Sequence, residues 1–166
     1  MSLPTDCRIT RRQPVRCYEL VLLPDSSSPA PAANWAHPPP EGESPLQTCA
    51  ATAAPELLHI ATDRWLIPDP TPRLTAQLDI CVTGGLGTLI DVQGKWDCVM
   101  LCGSGAAQLL ATELAVDGLL IDRPCAATSL FGSPVILVRR GDAFDLWIAS
   151  SYTASCLTLL ESLCQR

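Results

Sequence analysis

The sequence has 166 residues, of which 48% are hydrophobic, and this size and composition suit a single domain with a sizeable core. Its 17 acidic and 11 basic residues give a net charge of −6; such a chain repels a phosphate backbone, so we expect no nucleic-acid partner. No apolar run reaches the roughly 18 to 20 residues of a membrane span, and residues 1–10 lack the apolar stretch of a signal peptide. We therefore expect no membrane partner and a soluble, cytoplasmic protein.

The first half of the chain predicts strands, a long loop, a hairpin and a helix. Residues 24–48 are rich in proline, which removes backbone donors, so we expect a surface loop or a partly disordered excursion there. Thr71 followed by Pro72 is a typical helix start, and Gly84 is a typical stop. The predicted elements are strands at 7–10 and 16–23, a hairpin of 56–60 with 64–67, and a helix from 72 to about 81.

The second half is richer in regular patterns. Ser104 is a candidate N-cap for a helix over 105–115, and Ser150 or Ser151 is one for the last helix. The last helix has apolar residues at three-to-four-residue spacing, namely Ala154, Leu157, Leu160, Leu163 and Cys164. The predicted strands are 88–92, 98–102, 125–130, 134–140 and 144–149. This order predicts an α+β fold with antiparallel sheets, helices on one face and an internal duplication.

The nine cysteines form an odd-numbered set without a CxxC pair, so neither a disulfide framework nor a zinc ribbon is expected. Cys98 and Cys102 are the closest pair. In a strand they share one face but lie about 13 Å apart, too far to bind one metal ion. We interpret most of these thiols as small buried apolar groups.

Several segments from residue 62 onward, taken in order, resemble the gamma subunit of heterotetrameric sarcosine oxidase. The resemblance starts at Thr62-Asp-Arg-Trp-Leu-Ile67 and covers the chain from about residue 56 to its end. The other matching segments are 89–96 with 99–110, 115–117, Arg123-Pro-Cys125-Ala-Ala-Thr128, 134–138, 144–148 and 150–152. The sequence departs from the family pattern in a shortened link from Asp117 to Cys125 and in the proline-rich stretch.

The resemblance implies a single gamma-subunit-like domain over 1–166, with a duplicated fold related to the folate-binding domain of the glycine cleavage T-protein. Complexes of this family oxidise N-methyl amines such as sarcosine. Their alpha and beta subunits carry flavins, NAD and folate, their delta subunit carries zinc, and gamma carries no cofactor. The resemblance thus implies a non-catalytic assembly subunit with alpha, beta and delta partners. The alternatives are a stand-alone folate-binding protein of one-carbon metabolism and an orphan domain with another partner.

The residues themselves offer little catalytic chemistry, so we predict no catalytic, cofactor-binding or metal-binding residue. Asp91 is the best acidic candidate, but a strand-end aspartate that accepts from turn amides is the favoured interpretation. His59 is interpreted as a structural strand residue and His37 as a loop residue. Cys125 beside Arg123 is interpreted as a buried thiol rather than a nucleophile.

Two further features have competing interpretations. Gly103-Ser104-Gly105 could offer helix amides to an anion, but it is too short for either phosphate-loop motif, and a glycine-assisted turn is favoured. The basic cluster of Arg8, Arg11, Arg12 and Arg16 is interpreted as a solvated or subunit-facing edge.

Four tryptophans are the largest apolar anchors of the chain: Trp35, Trp65, Trp96 and Trp147. Trp35 falls in the proline-rich stretch and Trp96 at a strand start. These two are therefore the candidate partner-interface residues, because exposed tryptophans often anchor interfaces.

Overall fold

The structure is a computed structural model that describes residues 6–14, 16–23, 57–61, 63–120 and 125–164. The predicted loop over 24–48, with Trp35 and His37, lies outside the described residues, as does Arg123. The chain divides into two compact units. The first unit comprises Met1–Pro14 with Gly94–Arg166, and the second comprises Val15–Gln93.

The described strands and helices follow the predicted order closely. In chain order they are β1 (Arg8–Arg12), β2 (Cys17–Leu22), β3 (Leu58–Ala61), β4 (Arg64–Pro68), α1 (Pro72–Thr83), β5 (Gly87–Asp91), β6 (Trp96–Cys102), α2 (Ala106–Ala111), α3 (Val116–Leu119), β7 (Cys125–Leu130), β8 (Ser133–Arg140), β9 (Ala143–Ala149) and α4 (Ser150–Cys164). Every strand pairing in them is antiparallel. The predicted α+β class with antiparallel sheets is therefore confirmed. Among the described helices, none combines the length and the apolar character that a bilayer crossing requires.

The first unit is built on a five-stranded sheet in the order β1-β6-β9-β8-β7. Side chains of a strand alternate between the two faces of a sheet, so Val99 and Leu101 of β6 share one face. Leu146 of β9 pairs with Val99 and lies on that face too. These side chains pack in one core cluster with Leu110 of α2 and Leu160 of α4. The helices thus cover this face, as the alternation of apolar residues predicted.

Helix α4 packs most of the predicted stripe against the core, since Leu160 is buried and Leu157, Leu163 and Cys164 pack against the same cluster. Thr153 and Cys156 are buried together with Leu160, whereas Ala154, which we placed on the apolar side, is exposed. The Thr153 hydroxyl lies 3.5 Å from the Ala149 carbonyl one turn earlier, which offers its polar atom a partner inside the helix. A threonine can therefore occupy the core face here, and the prediction for Ala154 is wrong.

The second unit has a four-stranded sheet in the order β3-β4-β2-β5. Helix α1 packs Leu74 and Leu78 in one cluster with Leu20 of β2 and Ile67 of β4. The predicted helix start is confirmed, because Thr71 caps α1 by accepting a hydrogen bond from the Leu74 amide at 3.3 Å. Each unit has its own antiparallel sheet and core, which is the coarse form of the predicted duplication; the order of elements differs between the units.

Strands β5 and β6 flank residues 93–95 and belong to different sheets. One local prediction is corrected. Helix α2 begins after Gly105 instead of Ser104, has no side-chain cap, and ends at Ala111 rather than near 115. Ser104 is exposed and precedes the cap position, because Gly103 has a φ of 110° that turns the chain before the helix starts.

Candidate assembly surface and the predicted site residues

Trp96 lies at the boundary between core and surface. It is the first residue of β6, it pairs with Ala149 of β9, and its side chain is partly buried. The pairing of β1 with β6 reaches only Cys98, so β1 does not extend alongside Trp96. The Lys95 ammonium lies 5.8 Å from the ring centroid, which is within the range of a cation–π contact.

The indole nitrogen of Trp96 is buried and has no hydrogen-bond acceptor among the described residues. The same is true of the Trp147 indole nitrogen, so this feature does not distinguish the two tryptophans. Their burial does, because the Trp147 side chain is 1% exposed and belongs to the interior, whereas Trp96 is partly exposed. Trp96 thus remains the candidate anchor among the described tryptophans.

Apolar side chains are also exposed on helices of both units. On α4, Tyr152 and Leu159 are seven residues apart and so lie along one helix face. On α1, Ile80 is 72% exposed. The other large exposed hydrophobic residues are Leu23, Val82 and Ile90. Exposed apolar groups of this kind are frequent where proteins associate.

Three arginines of the basic cluster lie on β1 and divide between its two faces, whereas Arg16 is exposed just before β2. Arg11 lies on one face of β1 and forms an ion pair of 2.9 Å with the buried carboxylate of Asp97. Arg8 and Arg12 have the opposite strand parity and are exposed. β1 is an edge strand of its sheet, and positive charges on edge strands prevent unwanted pairing. The interpretation as a solvated or subunit-facing edge therefore suits Arg8 and Arg12, while Arg11 has a role inside the unit.

Asp91 has the turn role that the sequence favoured. It ends β5, and its Oδ1 accepts a hydrogen bond from the Gln93 amide at 2.9 Å. His59 lies in β3, with its ring centroid 5.2 Å from that of Trp65. β3 and β5 form opposite edges of the four-stranded sheet, so the structure does not bring the best acidic candidate and the histidine together.

The glycine turn after β6 is occupied by the chain itself. The Gly105 amide donates to the Asp6 carbonyl at 3.2 Å, so this N–H is already used. A Cβ at Gly103 would lie 2.1 Å from the same carbonyl oxygen. The turn thus serves as a docking point for the N-terminal segment, in agreement with the interpretation as a glycine-assisted turn.

The described cysteines are free thiols, and five of these eight are buried: Cys17, Cys81, Cys98, Cys125 and Cys156. Cys49 lies outside the described residues. The pKa of Cys98 is raised to about 12, mainly by burial and also by the nearby Asp145 carboxylate, while Arg12 and Arg140 oppose the shift. Within the described residues, no group of three or more His, Cys, Asp or Glu side chains is placed to hold a metal ion.

Three buried carboxylates, each paired with an arginine, were not predicted from the sequence. Asp97 pairs with Arg11, Glu19 with Arg64 at 3.2 Å, and Asp145 with Arg140. The last pair is a close ion contact in which the Arg140 Nε–H is not aligned for a hydrogen bond. The available signal was an acidic residue inside an otherwise apolar strand, as in Trp-Asp-Cys-Val-Met and Ala-Phe-Asp-Leu-Trp.

Two solved structures share the fold. A chain of the heterotetrameric sarcosine oxidase from Corynebacterium sp. U-96, in complex with pyrrole 2-carboxylate, matches 96% of this chain and 84% of its own length, with a TM-score of 0.67 and 18% identity. The regulatory subunit of aspartate kinase from Thermus thermophilus, in its ligand-free form, matches 95% of this chain and 98% of its own length, with a TM-score of 0.51 and 12% identity. The sequence matches no protein-family model and no curated protein.

Proposed function

We propose that this protein is a non-catalytic, gamma-type subunit of a flavoenzyme complex similar to heterotetrameric sarcosine oxidase. The observation that carries the proposal is the shared fold with a chain of such an oxidase over 96% of this sequence, at a TM-score of 0.67. The resemblance of residues 62–67 and the later segments to the gamma subunit supports it independently of the coordinates. In this assignment the complex oxidises N-methyl amines, and flavins, NAD and folate are bound by its partner subunits.

The side chains of the described residues support an assembly role over a catalytic one. Asp97 and Asp145 are engaged in ion pairs within the first unit, and Asp91 accepts a hydrogen bond in a turn. A catalytic acid or base has to reach a substrate, and these carboxylates already have structural contacts. The exposed apolar side chains on α1 and α4 instead offer surface that a partner subunit would cover.

Trp96 is the residue of the described structure that we assign to this assembly surface. Its partly buried ring is anchored in β6, so a partner gains a rigid aromatic surface without ordering a flexible side chain. Trp35 belongs to the same proposal from the sequence and lies outside the described residues.

The test is co-expression with the alpha, beta and delta subunits of a sarcosine oxidase-like complex, followed by affinity capture on a tagged alpha subunit and size-exclusion chromatography. We expect this chain to co-elute with the flavin absorbance in constant stoichiometry. The chain expressed alone should carry no flavin and no zinc.

Three results, taken together, would overturn the proposal. If the chain stays monomeric, never co-elutes with those subunits and binds tetrahydrofolate with a micromolar Kd in calorimetry, it is a stand-alone folate-binding protein. The chain expressed without partners is the matched sample for this titration.

A further inference from the structure

Two thiols lie near the two ends of the first unit. Cys7 directly precedes β1, and Cys164 is the last residue of α4. Both are free and partly exposed, unlike the five buried cysteines. Both also pack against the same hydrophobic core cluster, the one that β6, β9 and α4 share. The N-terminal segment and the C-terminal end of α4 are therefore neighbours.

The strand register separates Cys7 from the third partly exposed thiol, Cys102. In the pairing of β1 with β6, Ile9 lies opposite Leu101, and both pack on the helix-covered face. Cys7 precedes Ile9 by two residues and shares its face, because side chains alternate along a strand. Cys102 follows Leu101 by one residue and has the opposite parity. Cys102 is near enough to act on Cys7 electrostatically, but of these two thiols only Cys164 is hydrogen-bonded to it.

The two side chains also contact each other directly, because Cys7 is hydrogen-bonded to Cys164. A thiol–thiol hydrogen bond brings two sulfur atoms close to the separation from which a disulfide forms with small side-chain rotations. The three thiols of this region do not belong to any metal-ligand grouping in the described part of the chain. Their chemistry is therefore that of thiols rather than of a metal site.

We propose that Cys7 and Cys164 form a reversible modification site, in which oxidation joins the segment before β1 to the end of α4 through an intrachain disulfide. This inference concerns the first unit alone and does not rest on the proposed function. Its oxidant is a small-molecule disulfide such as oxidised glutathione.

The exchange balances in two steps. The Cys164 thiolate attacks one sulfur of the reagent, forming a mixed disulfide and releasing one thiolate of the reagent. The Cys7 thiolate then attacks the Cys164 sulfur, the Cys7–Cys164 bond forms, and the second reagent thiolate leaves. The protein loses two electrons, the reagent gains them, and the two protons of the cysteines end on the released thiols.

The raised pKa of Cys7 keeps this thiol protonated at neutral pH, which slows its attack on a disulfide. The pKa is raised to about 12, mainly by burial, with further contributions from the hydrogen bond and charge of Cys164 and from Cys102 and Asp6. Once Cys164 is capped in the mixed disulfide, its contribution to the pKa of Cys7 disappears, and the second step becomes easier. Because a thiolate is the attacking species, oxidation should become faster as the pH rises from 7 to 9.

The experiment treats the native full-length chain with oxidised glutathione, blocks the remaining thiols with N-ethylmaleimide in denaturant, and digests the protein with trypsin. We expect a linked pair of peptides, residues 1–8 with residues 141–166, that disappears on reduction. Its mass should be two hydrogens less than the summed masses of the two separate peptides in which only Cys156 carries N-ethylmaleimide. The second peptide contains Cys156 as well as Cys164, and fragmentation of the linked pair assigns the bond to Cys164.

Three variants complete the test, with circular dichroism as the fold control. Cys7→Ser and Cys164→Ser should each lose the linked peptide, while Cys102→Ser should retain it with an unchanged rate. The oxidised wild type should also melt at a higher temperature than its reduced form, and Cys7→Ser should show no such shift. A bond from Cys7 to the peptide 96–139, which carries Cys102, would overturn the proposal. A linked peptide that forms only in urea would overturn it as well.

Discussion

Arg11 Nη2 lies 2.9 Å from Asp97 Oδ2, and this ion pair joins β1 to β6 across 86 positions of sequence. The Asp97 side chain is 1% exposed, while that of Arg11 is 48% exposed. The other carboxylate oxygen, Oδ1, has no hydrogen-bond partner among the described residues. The carboxylate therefore depends strongly on Arg11, and removal of Arg11 would leave a buried charge without a described partner.

Arg11→Ala should lower the free energy of unfolding by about 1–3 kcal/mol, since a hydrogen bond to a charged group is lost and its partner stays buried. Urea denaturation followed by circular dichroism measures this. Arg8→Ala on the same strand is the matched control, and its effect should stay within about 0.5 kcal/mol because Arg8 is exposed. Equal losses in both variants would contradict a special role for the Arg11–Asp97 pair.

A pair of glycine variants separates backbone strain from steric collision. Gly94 and Gly103 have φ values of 78° and 110°, but a Cβ at Gly94 would meet nothing within 4 Å, whereas one at Gly103 would lie 2.1 Å from the Asp6 carbonyl oxygen. Gly94→Ala should destabilise by about 1 kcal/mol from its positive φ. Gly103→Ala should destabilise clearly more, because backbone must move.

Hydrogen exchange locates the effect of Gly103→Ala. The Gly105 amide, which donates to Asp6, should exchange faster in this variant and at the wild-type rate in Gly94→Ala. Similar stabilities and exchange rates for the two variants would show that the N-terminal segment does not dock on this turn.

Trp96→Ala should weaken assembly more than folding. If Trp96 anchors the partner, the loss of about 2 kcal/mol corresponds to a roughly 30-fold weaker Kd for the other subunits. Trp147→Ala is the contrasting variant: its ring is 1% exposed, so its removal should cost about 3–5 kcal/mol of folding stability. Chromatography with the partner subunits and circular dichroism measure the two effects. Wild-type binding by a folded Trp96→Ala chain would remove Trp96 from the interface.

The raised pKa of Cys98 predicts that the free energy of unfolding falls at alkaline pH. Its pKa in the folded chain is about 12 against an ordinary value of 9.0, so the unfolded chain loses the proton first. The stabilising contribution is complete below pH 9 and is lost as the pH rises from 9 towards 12. The slope from this one thiol approaches about 1.4 kcal/mol per pH unit within that window.

Urea denaturation at several pH values between 8 and 11 tests this, with Cys98→Ala compared with the wild type. The variant should lose less stability over the range, although it starts lower because a buried side chain is shortened. Cys102→Ala should keep the wild-type slope, since Cys98 remains in place. Parallel curves for Cys98→Ala and the wild type would contradict the raised pKa.

Local signals predicted the elements of this fold well. Thr71 before Pro72 marked the start of α1, because caps act over a few residues. On α4 the assignment of Ala154 to the buried face was wrong, since Thr153 and Ala154 differ little in hydrophobicity. The Ala149 carbonyl that lies near the Thr153 hydroxyl is what allows the threonine to be buried.

Sheet membership could not be predicted from neighbouring residues. The turn over 93–95 resembles a hairpin turn, yet β5 pairs with β2, and β6 pairs with β1 and β9. Such long-range choices depend on partners far along the chain. The paired carboxylates and the Cys7–Cys164 contact were missed for the same reason, whereas the turn role of Asp91 depends on Gln93 two residues away and was found.

The division of the chain also bears on its synthesis. The second unit is one continuous stretch, so all of its strands have left the ribosome before the first unit can be completed. β1 is made before the second unit, yet its pairing strand β6 follows the whole of that unit. Until β6 emerges, β1 exposes both of its edges, and the charges of Arg8, Arg11 and Arg12 protect it from pairing with other nascent chains.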